Sequence, residues 1–492
     1  MKDAMKIAMK DTIKGAIKDT MKDAMKNTMK VSQKEKSKNF ILQKLLIVLF
    51  WLIVWQILSR VIDNAILLEG PIEVVKRLID DLQTKDYYHT VGASLLRMNA
   101  GLVLGILLAV LLSICAWKQK ILEELFAPLV QFLKTAPIAC FIVLLLIWTG
   151  SKNLAFYVAL LVAFPPVYLN LVEGFKHIPK EQMELAKVYC MPLKNRMKYI
   201  YLPSIKPYFM SALSLSVGMA FKAGVAAEII GTPDFSMGER IYMSKIYLDT
   251  AGVLSWMITV IVASYICEKI FGFLANAFFH RKFQNAPSKK KEKICARSEI
   301  VLENVYVAFD GQIVLENVTK TFEVGKIYCL VGESGVGKTT LFRTLLGLEK
   351  LDSGEIKKNA GVMATVFQES RLFEEYTAAE NVLATGQCFM TKTKVEEALR
   401  EILPIDALSK PLREYSGGMK RRVEIARAML SVGDTILLDE PFNGLDKESK
   451  EKTIAFIKKY QNDRTILFTS HHLEDIKLMG GEEIDLWKNE WP

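Results

Sequence analysis

Hydrophobic residues follow three regimes along this chain. Residues 1–30 repeat a four-residue unit, with Met or Ile at 1, 5, 9, 13, 17, 21, 25 and 29, each followed by Lys. On a helix of ~3.6 residues per turn a period of four drifts by ~40° per repeat, so the apolar stripe winds around the rod and cannot keep one face in lipid. Nor is there the continuous apolar core of a signal peptide, and residues 1–39 read as a low-complexity basic tail. Long apolar runs follow at 40–62, 95–117, 122–148, 154–172, 207–231 and 252–278. Each is long enough to cross a hydrocarbon layer of ~30 Å, which predicts a polytopic all-α membrane domain of about six helices over 40–279. Pro128, Pro137, Pro165 and Pro166 are expected to break or kink their helices. The charged stretch 280–298, with Pro287, Ser288 and a lysine run, reads as a linker. Beyond it, 299–492 has soluble α/β patterning: residues 300–307 and 313–318 alternate as strands around Asp310-Gly311, and 326–331 is a short buried strand.

The hydrophobic share of 51% supports the membrane assignment, and the placement of charge orients it. The formal net charge is +10, but the basic residues sit in the tail, beside apolar runs and near Lys289–Lys293, as expected of cytoplasmic segments facing anionic lipid rather than nucleic acid. With the N-terminus inside, the connection at 173–206 also falls inside and carries Lys176, Lys180, Lys187, Lys194, Arg196, Lys198 and Lys206; the outside connection at 63–91 is acid-rich. The seven cysteines are scattered without C-x-x-C pairs, which indicates neither a zinc site nor a disulfide framework.

The chemistry is concentrated after the strand at 326–331. Gly332, Gly335, Gly337, Lys338 and Thr339 fit the phosphate-binding pattern G-x-x-x-x-G-K-[ST] between a strand and a helix. Glycine-bared N–H groups can wrap a phosphate, Lys338 adds a point charge, and the Thr339 hydroxyl can ligate Mg²⁺. Ser334 and Thr340 complete the candidate ATP-binding loop. The apolar strand Thr435-Ile-Leu-Leu-Asp439-Glu440 ends in two acids, of which Asp439 can hold Mg²⁺ and Glu440 can orient or deprotonate an attacking water.

Ser416-Gly417-Gly418-Met419-Lys420, opening a helical run, resembles the signature of ATP-binding-cassette (ABC) proteins, with Tyr415 and Met419 in place of the usual leucine and glutamine. That resemblance implies an α/β P-loop ATPase with a helical subdomain. It further implies that Phe309 stacks on adenine, that Gln368 links Mg²⁺ to the membrane domain, that Asp446 belongs to the loop communicating across a dimer, and that His471, followed by His472 where aspartate is usual, is the switch histidine. Each nucleotide site would then take Ser416 from a second copy of the chain.

Glu184-Leu-Ala186, Cys190 and Ile200-Tyr-Leu202-Pro203 are similar in spacing to the E-A-A-x(3)-G-x(9)-I-x-L-P motif of bacterial ABC importer permeases, whose coupling loop docks on the ATPase; here it would occupy 179–206. Cys190 stands where glycine is usual and permits less backbone freedom. Ser94-Leu-Leu-Arg97 and Thr135-Ala-Pro-Ile138 resemble the nitrate/sulfonate/taurine branch, which implies uptake of a small anion across the inner membrane, with the ATPase cytoplasmic and a separate extracytoplasmic binding protein delivering solute. Lys222 and Glu228, ionisable groups inside an apolar run and ~120° apart on a helix, are candidate path residues. Two other readings of spans plus a cassette are an exporter half-transporter and a force-transmitting membrane ATPase; the short connections and the Glu184 motif favour import.

Overall fold

The computed structural model describes residues 42–280, 299–309, 312–333, 335–358 and 363–485. The tail expected at 1–39 and nearly all of the 280–298 linker lie outside these residues.

Helix α1 (Leu42–Ile62) is apolar, and none of its residues is buried. Next come α2 (Pro71–Leu82), α3 (Lys85–Lys118), α4 (Lys120–Thr135), α5 (Ile138–Thr149), α6 (Leu154–Lys176), α7 (Lys180–Val188), α8 (Leu193–Arg196), a π-helical turn at Met197–Tyr201, α9 (Leu202–Gly231), α10 (Met237–Ile246) and α11 (Thr250–His280). Among the described residues, five helical segments are long and apolar enough to span a bilayer, or six when the bent pair α4/α5 is counted as one span, so the region is a multi-pass helical membrane domain. The run at 122–148 is therefore not one continuous helix: α4 and α5 meet at 102°. Pro137 sits there with extended backbone as the cap of α5, and the ring of a proline drives the preceding residue out of helical conformation. Pro128, Pro165 and Pro166, expected to break or kink their helices, lie inside α4 and α6, which continue through them.

The chain divides into two compact units. The first holds the described residues through Ala109, Phe126–Pro166 and Ser214–Ile270. Here α3 approaches α6 so closely that a Cβ on Gly101 would lie 2.1 Å from the Phe156 carbonyl oxygen, the small-residue packing by which apolar helices gain contact without a hydrophobic drive.

The second unit holds Val110–Leu125, Val167–Leu213 and the chain from Phe271 on. Its α/β part begins with β1 (Ile300–Phe309) and β2 (Gln312–Phe322), then β3 (Ile327–Val331), α12 (Lys338–Leu345), β4 (Ser353–Lys357) and β5 (Met363–Val366). A helical subdomain follows with α13 (Ala378–Ala384), α14 (Lys392–Leu399) and α15 (Gly417–Met429); the chain then forms β6 (Thr435–Leu438), α16 (Lys447–Tyr460), β7 (Thr465–Thr469), α17 (Leu473–Met479) and β8 (Glu482–Asp485). Strands β2-β1-β4 form an antiparallel sheet, and β5-β6-β7-β3-β8 form a parallel one. Every residue of β5, β6 and β7 is buried, as a parallel sheet covered on both faces requires. The carboxyl ends of β3, β5, β6 and β7 consequently open side by side, where doubly wound sheets place their ligands.

Candidate functional site

The candidate phosphate-binding loop lies between the end of β3 at Val331 and the start of α12 at Lys338. Gly337 has φ 104°, and a Cβ there would lie 2.9 Å from the Val314 carbonyl oxygen, so both conformation and space demand glycine. Lys338 is buried and donates to the loop's own carbonyls, Gly332 O at 2.6 Å and Glu333 O at 2.8 Å, which holds its charge in the cradle. Gly335 and Thr339 are exposed and Thr340 half-buried; Ser334 lies outside the described residues.

Asp439 follows β6 directly. It accepts from the Thr339 hydroxyl and from the Thr469 hydroxyl at the end of β7, both at 2.8 Å. Burial pushes its carboxyl above the ordinary aspartate range, against the lowering effect of those two hydroxyls. A buried carboxylate beside an exposed threonine hydroxyl is an all-oxygen donor set suited to a hard divalent cation, so Thr339 and Asp439 fit Mg²⁺. Gln368 lines one cleft with them and a second, open cleft of about 570 Å³ with Glu440, Ser416, Gly417, Gly418 and Asp446.

Glu440 has φ 46°, uncommon for a residue with a side chain. Its N–H donates to Thr469 Oγ1 at 2.8 Å, whereas among the described residues its carboxylate makes only long contacts, to His471 Nε2 at 3.3 Å and Asn443 Nδ2 at 3.4 Å. His471 is thus the histidine beside the acid; His472 caps α17. Ser416 caps α15, with Gly417 and Gly418 as its first residues, and Asp446 caps α16 by accepting from the Ser449 N–H at 2.8 Å. Phe309 is exposed at the end of β1, next to the undescribed turn at 310–311.

A second cluster joins the segment around α7 and α8 to the α/β part, all within the second unit. Glu184 on α7 pairs with Arg343 on α12 at 2.9 Å and with Arg371 at 2.7 Å. Partial burial acts to raise the Glu184 carboxyl, but the Arg343 hydrogen bond and the Arg371 charge outweigh it and hold the group below the usual glutamate range. Tyr189, fully buried, sets its hydroxyl against β5, donating to Thr365 O and accepting from Thr365 N–H, both at 3.0 Å. Asn195 donates to Ala384 O at 2.8 Å, and Tyr376 to Lys198 O at 2.8 Å. Ala186 is buried, and Leu202 and Pro203 open α9 directly after the π turn. Proline has no N–H to close an α-helical turn there, and the wider π turn absorbs the mismatch.

In the first unit, Lys222 is exposed on α9 while Glu228 is fully buried. Glu228 accepts from Ser94 Oγ at 2.9 Å, from the Gly238 N–H at 3.2 Å and from Arg97 at 3.4 Å, tying α3, α9 and α10 together. Reading the sequence did not single out Tyr189, Arg343, Arg371 or Thr469. Thr469, a polar residue ending an apolar strand as Asp439 does, carried a readable signal; the others acquire their roles only through folding.

Two families match the chain: residues 101–285 match the "Binding-protein-dependent transport system inner membrane component" and residues 315–443 match "ABC transporter". Among curated proteins, the chain is 33% identical to an aliphatic sulfonates import ATP-binding protein of Pseudomonas syringae, over 41% of this chain and 74% of the relative. It is 32% identical to a taurine import ATP-binding protein of Pelagibacter ubique, over 37% of this chain and 76% of the relative. Identity is also 32% to a spermidine/putrescine import ATP-binding protein of Acetivibrio thermocellus, over 37% of this chain but only 56% of that relative's length.

Proposed function

This chain belongs to the ABC transporter family, with an importer-type permease and an ATPase on one polypeptide, and from that premise we propose that it takes up a small anion by hydrolysing ATP. The observation that carries the reading is the seating of the α7 segment beside the nucleotide site: Tyr189, just after α7, bonds Thr365 of β5, and Glu184 pairs with Arg371 beyond that strand, flanking Gln368, which lines a cleft with Asp439. Movement of the nucleotide site is thereby delivered to the residues that enter α9.

Bound ATP supplies the phosphoanhydride, and Mg²⁺ neutralises the phosphate charge. Thr339, Asp439 and Gln368 would hold the metal; the loop N–H groups, Lys338 and Thr340 would hold the phosphates, and Phe309 would take the base. Glu440 accepts the proton of the attacking water, and His471 orients its carboxylate. The amino end of α15, exposed at Ser416 and Gly417, serves the nucleotide of a second copy, since helix N-termini favour anions, and Gly418 and Asp446 line the same cleft. Two copies in the cell membrane, cassettes in the cytoplasm, form the working unit, and an extracytoplasmic binding protein brings the solute.

The anionic class rests on the likeness of 94–97 and 135–138 to the nitrate/sulfonate/taurine permeases and on Lys222, an exposed cation in a spanning helix. Uptake by proteoliposomes with the co-encoded binding protein tests it, offering taurine, an alkanesulfonate, nitrate, bicarbonate and, as a cationic contrast, spermidine. ATP-dependent accumulation of an anion is expected, falling about tenfold in Lys222→Met. Accumulation of spermidine alone would overturn the anionic assignment, and anion efflux would overturn import.

A further inference from the structure

The docking of Glu184 ends on Arg371, and from there a chain of buried charges runs to the catalytic strand end. The main-chain N–H of Arg371 donates to Glu424 Oε1 at 2.8 Å. Glu424, on α15, is 1% exposed, and its other oxygen accepts from Arg421 Nη1 at 3.1 Å. Arg421 Nη1 also donates to Phe367 O at 2.5 Å; Nη2 donates to Asp439 O and, at 2.9 Å, to Glu440 O. One guanidinium therefore fastens the residue before Gln368 to both acids.

We propose that Arg421, oriented by Glu424, is a positioning residue for ATP hydrolysis that fixes Glu440 relative to Gln368. The proposal rests on the reading that Glu440 acts on the attacking water. Strands β5 and β6 are paired only as far as Val366 and Leu438, with one further main-chain bond from the Asp439 N–H to Val366 O. Past that point the ladder offers nothing to set the spacing of Gln368 and Glu440, and Arg421 spans the gap. Glu440 is held at positive φ, a conformation that persists only where the surroundings over-determine it. Thr469 pins its N–H and Arg421 its carbonyl, so both main-chain polar groups of the strained residue are fixed. Such multiple capture needs the rigid fork of arginine; a lysine ammonium on a flexible stem does not reproduce it.

The test uses the full chain in lipid nanodiscs. Arg421→Met alone would strand a buried Glu424 charge and could unfold the cassette, so the decisive variant is Arg421→Met with Glu424→Gln, which removes both charges and leaves an amide oxygen for the Arg371 N–H. The expected result is a kcat per folded molecule lowered roughly 10- to 100-fold, the scale of a slightly misplaced catalytic group, with the KM for ATP within about twofold of the parent and a cooperative melting transition retained, at a lower temperature because three carbonyls lose their donor. Arg421→Lys is expected to lose kcat to a similar degree while keeping the charge. A parental kcat in the double variant, or a kcat that falls only in step with the folded fraction, would overturn the proposal. Glu440→Gln in the same preparation separates the two levels. Lost hydrolysis there beside normal hydrolysis in the double variant sinks the positioning role alone, whereas normal hydrolysis by Glu440→Gln sinks the reading beneath it.

Discussion

Glu228 in the membrane unit and Glu440 in the cassette are both acids at the centre of a polar cluster, yet they are held in opposite ways. Glu228 is fully enclosed, and Ser94, the Gly238 N–H and Arg97 occupy its oxygens. Ser94 in turn accepts the Met237 N–H, and a Cβ on Gly238 would lie 2.3 Å from the Glu228 Cβ. Glu440 has its main chain fixed and its carboxylate nearly free, at 3.3 and 3.4 Å from its neighbours. A charge in apolar surroundings must be saturated with donors, and saturation leaves nothing for a ligand. Glu440, which we propose acts on the attacking water, keeps its oxygens unspent and is positioned through its backbone instead.

Exchanging each acid tests that contrast and carries the largest expected effects. Glu440→Gln should keep ATP binding and thermal stability while turnover falls roughly 10²- to 10³-fold, the range of a lost general base. Glu228→Ala should do the reverse in kind, costing about 3 kcal/mol of stability because Arg97, Ser94 and the Gly238 N–H lose their partner together. Glu228→Gln, which can still accept from Ser94 and Gly238, should cost about 1 kcal/mol. Thermal unfolding and steady-state hydrolysis on the same samples decide it. A Glu228→Ala protein of parental stability that has lost only solute uptake would show that the buried acid belongs to the path.

Much of this arrangement was legible before folding, and the division follows the range of the interactions. The phosphate loop, the strand ending in Asp439-Glu440, the Ser416 cap and the six apolar segments are local patterns, each determined by residues within one or two turns of each other. Partners distant in sequence were not legible. Glu184 could be placed in a docking segment, but nothing in the chain announced Arg343 and Arg371, more than 150 residues away, as its counterparts. The same holds for Ser94 and Arg97 as the donors that enclose Glu228. Prolines were only partly readable: Pro137 breaks its helix, while Pro128, Pro165 and Pro166 stay within theirs, because what takes up a freed carbonyl is decided by neighbours rather than by the proline.

Glu184 stands between the two extremes, charged and partnered but about a quarter exposed, and its removal should have an intermediate effect. Glu184→Gln loses two charge-assisted bonds without emptying the site, so uptake should drop about tenfold while ATP hydrolysis stays within about twofold. The pH dependence follows from the direction of the shift. Because docking holds the carboxyl below its free value of ~4.3, its contribution is complete above that value and disappears as pH falls through the lower, docked value. Hydrogen exchange of the α7 amides, corrected for intrinsic rate, should be insensitive to Glu184 from pH 8 to 5 and should lose protection only below that window. Equal loss of protection in Glu184→Gln at neutral pH would tie the effect to this carboxyl; unchanged protection would remove it from the docking.

The smallest effect concerns the turn that follows Glu184. After α7 the Cys190 N–H donates to Lys187 O at 3.1 Å and the Met191 N–H to Ala186 O at 2.9 Å, the paired bonds by which a helix closes on a left-handed residue. That residue is Cys190, at φ 45°, a conformation in which a Cβ costs about 1–2 kcal/mol. Glycine removes that cost and adds back roughly 0.5–1 kcal/mol of unfolded-state freedom. Cys190→Gly should therefore stabilise the chain by about 0.5–1 kcal/mol, seen as a small rise in melting temperature with uptake and hydrolysis unchanged. A fall in stability would mean that the exposed cysteine side chain contributes contacts worth more than the strain it imposes.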